Sequence, residues 1–389
     1  MQTGKKLLAI LCLGTMLAGA VTGCGKSGSS AKEIKIGGNL EMTGTGASYG
    51  KSSQNGIKLA IEKINGQGGV LGKKLALSVA DNKSEAAEAT NAMQKLISQD
   101  KVVAVIGPSI SSCVIATTAV NAGAKVLDIS PLGTNPKVTV DQNGKTRAYN
   151  FRTCFIDPFQ GTVMAKFVKD TLKAKKVAIL VDNSSDYSKG LAQYFEETFT
   201  KNGGTIVAKE SFLQKDTDFK ATLTKIQATN PDMIYVPAYY QEVGLIVKQA
   251  RELGITVPMA GGDGWDSAKM PEIAGKAALN KTFFSSLYSP EDNTPMNKEF
   301  VAAYEKAYNE KPDVFAALSY DSTLLIAEAL KKAGEVNSAK VAAAMAEIKG
   351  LEGVSGKVTF DAQHNPVKSA FIIEYKDGKQ SFKTKIEPK

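Results

Sequence analysis

The sequence predicts an α/β protein made of two doubly wound α/β lobes joined by a three-crossing hinge. Strand-like and helix-like segments alternate from residue 33, the rhythm restarts after Arg152, and a third change comes at "GVSGKVTFD". Such alternation implies mostly parallel sheets covered by helices on both faces. A chain of 389 residues, 43% of them hydrophobic, is long enough for two lobes with their own cores.

In chain order, "EIKIGGNL" alternates as a strand and meets the loop "EMTGTGASYG". "SSQNGIKLAIEKIN" places Ile57, Ala60, Ile61 and Ile64 at helical spacing. "LALSVAD" is a strand, "EAAEATNAMQKLISQD" an amphipathic helix, "VVAVIG" a strand, "CVIATTAVNAG" a helix and "VLDIS" a strand. The second run opens with helix "PFQGTVMAKFVKDTL", strand "KVAILVDN" and helix "GLAQYFEETFTKNGG". Strand "TIVAKESF", helix "FKATLTKIQATN", strand "MIYVPAY", helix "EVGLIVKQARELG" and strand "VPMAGG" complete it. Near "TFFSSLYSP" the chain turns into helices "MNKEFVAAYEKAYNEK" and "FAALSYDSTLLIAEALKKAG", and "AFIIEYKDG" is the closing strand. These limits give one lobe at 33–156 and 287–357, the other at 157–286 and 358–389. Clefts between lobes, at the carboxyl ends of parallel strands, are where small ligands sit.

Residues 1–23 read as a secretory leader. Lys5 and Lys6 precede an apolar segment from Leu7 to Leu17, too short and wrongly flanked for a spanning helix. The segment ends at Val21-Thr22-Gly23-Cys24, which resembles a bacterial lipobox whose Cys thiol receives a diacylglycerol. An ordinary signal peptide that happens to contain a Cys is the plainer alternative. The polar "GKSGSS" within a tether at 24–32 favours the anchor, since a tethered domain needs a flexible linker. The product is then anchored to the cell membrane from outside the cytoplasm. Cys12 leaves with the leader, and Cys113 and Cys154 remain to pair or to stay as buried thiols.

The formal charge is +9, and removing Lys5 and Lys6 leaves +7 for the anchored product. Arg stands only at Arg147, Arg152 and Arg251, and the lysines are scattered among acids. No basic stripe interleaved with aromatics is present, so nucleic acid is not an expected partner. "INGQGGVLGKKL" fails as a phosphate loop, because Gln67 stands where Walker A needs Gly and Lys73 is followed by Lys74. It fails as a dinucleotide fingerprint at Leu71 and follows a helix rather than a strand. The only histidine, His364, lies in the turn "DAQHNP", where solvent exposure is the default, so triad chemistry has no base to work with. No metal-ligand spacing occurs, and neither an enzyme nor a cofactor is expected.

Three corners remain. In "AVIGPSISSCVIATTAV", Ser109, Ser111 and Ser112 follow an apolar strand and open a helix, with no charged residue among them. Helix N-termini leave N–H groups unpaired and carry partial positive charge, so a hydroxyl there can cap the helix or face a small carboxylate. In "LDISPLGTNPKV", Gly133 allows close backbone approach and Thr134 offers N–H and hydroxyl, although a Pro-bounded turn accounts for both. In "GGDGWDS", Asp263 is either a turn aspartate or one carboxylate facing the cleft, and Trp265 either walls the pocket or packs between lobes.

These corners stand in order with "GTGASYG", "AIEKINGQGGVLGKKL", "FRTCFIDPFQG", "DYSKGLA", "YVPAYYQEVGLIVKQARELG" and "SYDS". Together the strings resemble the branched-chain amino acid-binding proteins of ABC importers, the Leu/Ile/Val-binding family of periplasmic binding protein type I. The resemblance covers essentially the whole mature chain. It implies that Ser111 and the Thr134 N–H bind an α-carboxylate, while the Leu132 carbonyl, the Thr134 hydroxyl and Asp263 take the α-ammonium. Tyr49, Ile110, Tyr187, Tyr239 and Phe315 then line the side-chain pocket. It further implies a monomer that captures an aliphatic amino acid, closes on it, and delivers it to ABC permease membrane subunits. The same fold holding an aromatic acid, amide or urea-like compound, or acting as a sensor, is the alternative. Two departures stand out. Leu132 occupies a position usually small in the family, so it either narrows the pocket or points away. Ile110 replaces one member of a cysteine pair found in some relatives.

Overall fold

The computed structural model describes residues 33–387. The leader at 1–23 and the tether at 24–32 with Cys24 lie outside the described residues.

Strand β1 (Glu33–Leu40) leads to α1 (Ala47–Gly66), β2 (Lys74–Asp81), α2 (Ala86–Ser98), β3 (Ala104–Ile106), α3 (Ser111–Ala124), β4 (Leu127–Ser130) and β5 (Asn150–Arg152). These strands form one parallel sheet in the order β2-β1-β3-β4-β5. The chain then crosses to α4 (Asp157–Asp170), β6 (Lys176–Asp182), α5 (Asp186–Lys201), β7 (Thr205–Phe212) and α6 (Lys220–Ala228). It continues through β8 (Met233–Tyr235), α7 (Tyr240–Glu252), β9 (Met259–Gly261), α8 (Met270–Ala274) and β10 (Thr282–Ser286). It crosses back for α9 (Pro295–Tyr308), α10 (Val314–Ala333) and α11 (Ser338–Ala346), and a third time for β11 (Ala370–Lys376) and β12 (Lys379–Ile386). The second sheet runs β12-β11-β10-β9-β8-β6-β7, parallel except for β11 and β12.

Two parallel-sheet lobes therefore carry the same internal order. In each, the strand order reverses once, between β1 and β3 and between β6 and β8. Loops leaving the carboxyl ends at such a point diverge to opposite faces and open a crevice.

The period-two pattern of β3 explains why both sheet faces are covered. Ala104 and Ile106 join one core with Ile57 and Ile61 of α1 and Leu325 and Ile326 of α10. Val105 points the other way, into a core with Met93 and Leu96 of α2. A strand buried on both faces reads as a continuous apolar run.

Some elements escaped sequence patterning. Asn150–Arg152 is too short for periodicity, and α8 spans only Met270–Ala274. The edge strand β12 is largely polar; its exposed Lys379, Lys383 and Lys385 discourage another chain from pairing there. His364 differs from the exposed loop residue expected of it. It is half-buried, its ring stacks on Phe151 at 3.9 Å, and Nδ1 lies 3.0 Å from the Asn150 carbonyl. Cys113 and Cys154 are both free and buried. Burial pushes the Cys154 thiol up to about 12.

Candidate functional site

A small cavity, of about 10 Å³, lies where the carboxyl ends of the two sheets face each other. Tyr49, Ser109, Ile110, Leu132 and Phe315 line it from the first lobe, and Tyr187, Tyr239, Asp263 and Gly264 from the second.

Aromatic pairs build the walls. Tyr49 stacks on Phe315 with ring centroids 3.9 Å apart, and Tyr187 on Tyr239 at 5.1 Å. Tyr49 also meets Tyr239 edge-on at 6.0 Å, so the walls touch across the cleft. Each such pair contributes about 1 kcal/mol beyond simple area burial. Leu132 is buried and is among the residues that line the cavity.

Asp263 is the acid of the cavity. Its Oδ1 accepts from Gln160 Nε2 at 2.8 Å and from Tyr187 Oη at 3.0 Å. Burial pushes its carboxyl up to about 6, against the pull of these bonds. The glycines before it follow from crowding: a Cβ on Gly262 would sit 2.3 Å from Tyr187 Oη. Trp265 does not line the cavity. It is fully buried in the second lobe and donates from Nε1 to the Val236 carbonyl at 2.8 Å.

The serine corner differs from its expected form. Helix α3 begins at Ser111, but no side chain caps it. Ser111 Oγ instead accepts the Asn135 N–H at 3.3 Å, and Ser112 Oγ accepts the Asp186 N–H at 3.1 Å across the cleft. A charge also reaches the corner: Glu41 Oε1 accepts the N–H groups of Ser109 and Ile110.

Like Ser111 and Thr134, Gly133 is not part of the cavity lining. Its N–H bonds Ser130 Oγ at 2.8 Å, and its carbonyl accepts from Arg152 Nη1 at 2.6 Å. Buried Arg152 also reaches the Asn135 carbonyl and Thr139 Oγ1, both at 3.0 Å. The turn bearing Leu132 and Thr134 is thereby braced from below. Thr134 Oγ1 is buried with no hydrogen-bond partner among the described residues, and so are both carboxylate oxygens of Asp157. Buried polar groups are nearly always paired, so such a cluster marks a place built to receive polar atoms. Burial raises the Asp157 carboxyl to about 8; the nearby Thr134 hydroxyl lowers it without being aligned for a bond, and the Asp263 charge raises it further.

Glu41, Asp157 and Gln160 were not anticipated. Asp157 and Gln160 could have been found: in "DPFQ" they share one helix face at i, i+3 at the start of α4. Glu41 had no local signal, being one acid after an apolar strand.

The lobes are tied across the cleft. Tyr49 Oη donates to the Gly264 carbonyl at 2.5 Å and accepts the Tyr240 N–H at 3.2 Å. Asn135 Nδ2 donates to the Asp186 carbonyl at 2.8 Å, and Gln214 Nε2 to Thr45 Oγ1 at 2.8 Å. The arrangement can hold a small solute with one cationic end, one anionic end and an apolar body.

Comparison with known proteins identifies the family. Residues 33–380 match the model of the family described as periplasmic binding protein. The Leu/Ile/Val-binding protein BraC3 of Rhizobium johnstonii is 32% identical, over 88% of this chain and 91% of that protein. A leucine-, isoleucine-, valine-, threonine- and alanine-binding protein of Pseudomonas aeruginosa is 30% identical, over 95% of this chain and 96% of its own length. Among solved structures, the branched-chain amino acid transporter substrate-binding protein LivJ of Streptococcus pneumoniae, in complex with isoleucine, superposes with a TM-score of 0.87. It is 41% identical, covering 92% of this chain and 100% of its own.

Proposed function

The chain belongs to the periplasmic binding protein family, and from that premise we propose a lipid-anchored, extracytoplasmic component of an ABC importer that closes on a branched-chain amino acid. In this reading the head of α3, the Ser111 hydroxyl and the Thr134 N–H take the α-carboxylate. The Leu132 carbonyl, the Thr134 hydroxyl and Asp263 take the α-ammonium. Tyr49, Ile110, Tyr187, Tyr239 and Phe315 enclose the aliphatic side chain.

The observation that carries the reading is Asp263, a buried carboxylate held by Gln160 and Tyr187 in a cavity with mostly apolar walls. Burying such a charge is costly unless a cation meets it. A ligand without an amine leaves it unmatched, which disfavours an aromatic acid. Ser111 Oγ already accepts one N–H, so its own O–H is left to donate to a carboxylate. The ligand then touches both lobes and stabilises the closed arrangement by contacts that an open one lacks.

The Cys24 anchor and delivery to permease subunits belong to the same proposal, supported by the leader's sequence and by the family. A thermal-shift screen against the common amino acids tests the ligand class, because a solute that binds only the folded chain raises its melting temperature. Leucine, isoleucine or valine is expected to give the largest shift. A screen in which only benzoate-like acids shift the transition overturns the reading.

A further inference from the structure

The serine corner is governed by a residue from another part of the chain. Glu41, just after β1, is fully buried, and its Oε1 accepts the N–H groups of Ser109 at 2.9 Å and Ile110 at 3.1 Å. Both of those residues line the cavity. The same acid abuts the start of α1, which carries Tyr49. A Cβ on Gly50 would lie 2.2 Å from the Glu41 carbonyl oxygen, and one on Gly46 3.2 Å from Glu41 Cβ and Cγ. Glu41 thus joins three segments: its backbone packs against the first turn of α1, and its side chain lies beside Gly46 and reaches the entry to α3.

The chemistry of that contact is specific. The first N–H groups of a helix have no intrahelical partner. Glu41 occupies the two amides ahead of α3, which leaves those of Ser111 and Ser112 at the helix head for an incoming anion. A buried acid beside an anion subsite is electrostatically adverse, so packing alone gives no reason for a carboxylate here. Burial raises the Glu41 carboxyl, and the Ile110 and Ser109 amides oppose that rise. The useful property of Glu41 is that it accepts hydrogen bonds.

We propose that Glu41 is a positioning residue for the ligand's α-carboxylate, fixing the Ser109–Ile110 amides so that the free N–H groups at the head of α3 meet that carboxylate. The proposal rests on the amino-acid reading of the cavity.

The test compares leucine with leucinamide, which lacks the carboxylate, by titration calorimetry on the full chain, with circular dichroism to verify folding. Glu41→Ala is expected to weaken leucine binding by about tenfold or more while leaving leucinamide nearly unchanged, so the preference for leucine falls. Glu41→Gln keeps an acceptor oxygen and is expected to restore that preference to within about threefold of the parent chain. A Glu41→Ala protein that keeps the full preference, or loses both ligands equally, overturns the proposal. Should Glu41→Ala not fold, a Glu41→Gln protein whose preference drops tenfold overturns it instead. A parent chain that binds no leucine, isoleucine or valine removes the amino-acid reading itself, and this proposal with it.

Discussion

Tyr49 of the first lobe donates its hydroxyl to the Gly264 carbonyl of the second at 2.5 Å, directly over the cavity. The same oxygen accepts the Tyr240 N–H, so one phenol holds two loops of the opposite lobe. Tyr49→Phe keeps the stack on Phe315 and removes both bonds. Ligand affinity is expected to fall by about 1 kcal/mol, roughly fivefold, mostly through faster release. Stopped-flow dissociation measures this, and an unchanged off-rate contradicts the latch.

Asp263→Asn preserves the shape of the cavity and removes its charge. Affinity for leucine or valine is expected to drop by on the order of 2 kcal/mol or more, because a desolvated charge pair is lost. Titration calorimetry reads it directly. The parent chain is also expected to bind less tightly as the pH falls through about 6, where Asp263 takes up a proton, and the Asn variant to lose that dependence.

Leu132 lines the pocket from the first lobe. Leu132→Ala is expected to shift preference towards leucine over valine by on the order of tenfold, since one or two methylenes decide such discrimination. Competition binding with the two amino acids checks it. A shift towards valine means that Leu132 does not limit ligand size.

A second acid pair sits where the lobes meet. Asp266 of the second lobe accepts the Val314 N–H at 3.0 Å, while Asp313 caps the same helix by accepting the Ala316 N–H at 2.9 Å. Burial, then the Asp266 charge, raises the Asp313 carboxyl well above the ordinary carboxylate range, to about 7. A carboxyl whose folded pKa is raised gives support that is full below its unfolded value, declines as pH rises from there, and is gone once pH passes the folded value. The melting temperature is therefore expected to fall as pH rises from about 4 to about 7 and to level off above that, with a shallower fall in Asp313→Asn. Calorimetric scans across that interval measure the slope, and an identical slope in the variant excludes the pair as its source.

For the anchor, Cys24→Ala is expected to abolish metabolic lipid labelling and to release the protein from the membrane fraction. Labelling that survives the substitution rules out Cys24 as the acceptor.

Most of the architecture was legible because it is local. The alternation in "AVI" and the helical spacing of Ile57, Ala60, Ile61 and Ile64 depend only on neighbours a few residues apart. Short or polar pieces such as β5 and β12 carry too little apolar periodicity to stand out. The aromatic lining was reached through resemblance and Asp263 as one of two readings of "GGDGWDS", whereas Glu41, Asp157 and Gln160 were missed.

By itself the sequence determined the strand–helix rhythm and that a single histidine, His364, is all the chain offers. Only the tertiary structure decided which polar atoms meet. Glu41 reaches Ser109 across 68 positions of chain, and Gln160 reaches Asp263 across 103. It also decided that Leu132 lines the cavity while Gly133 is consumed by Ser130 and Arg152. The physical reason is that such encounters are set by strand order and by the packing of helices on sheets. Neither leaves a mark in the residues next to the ones that touch.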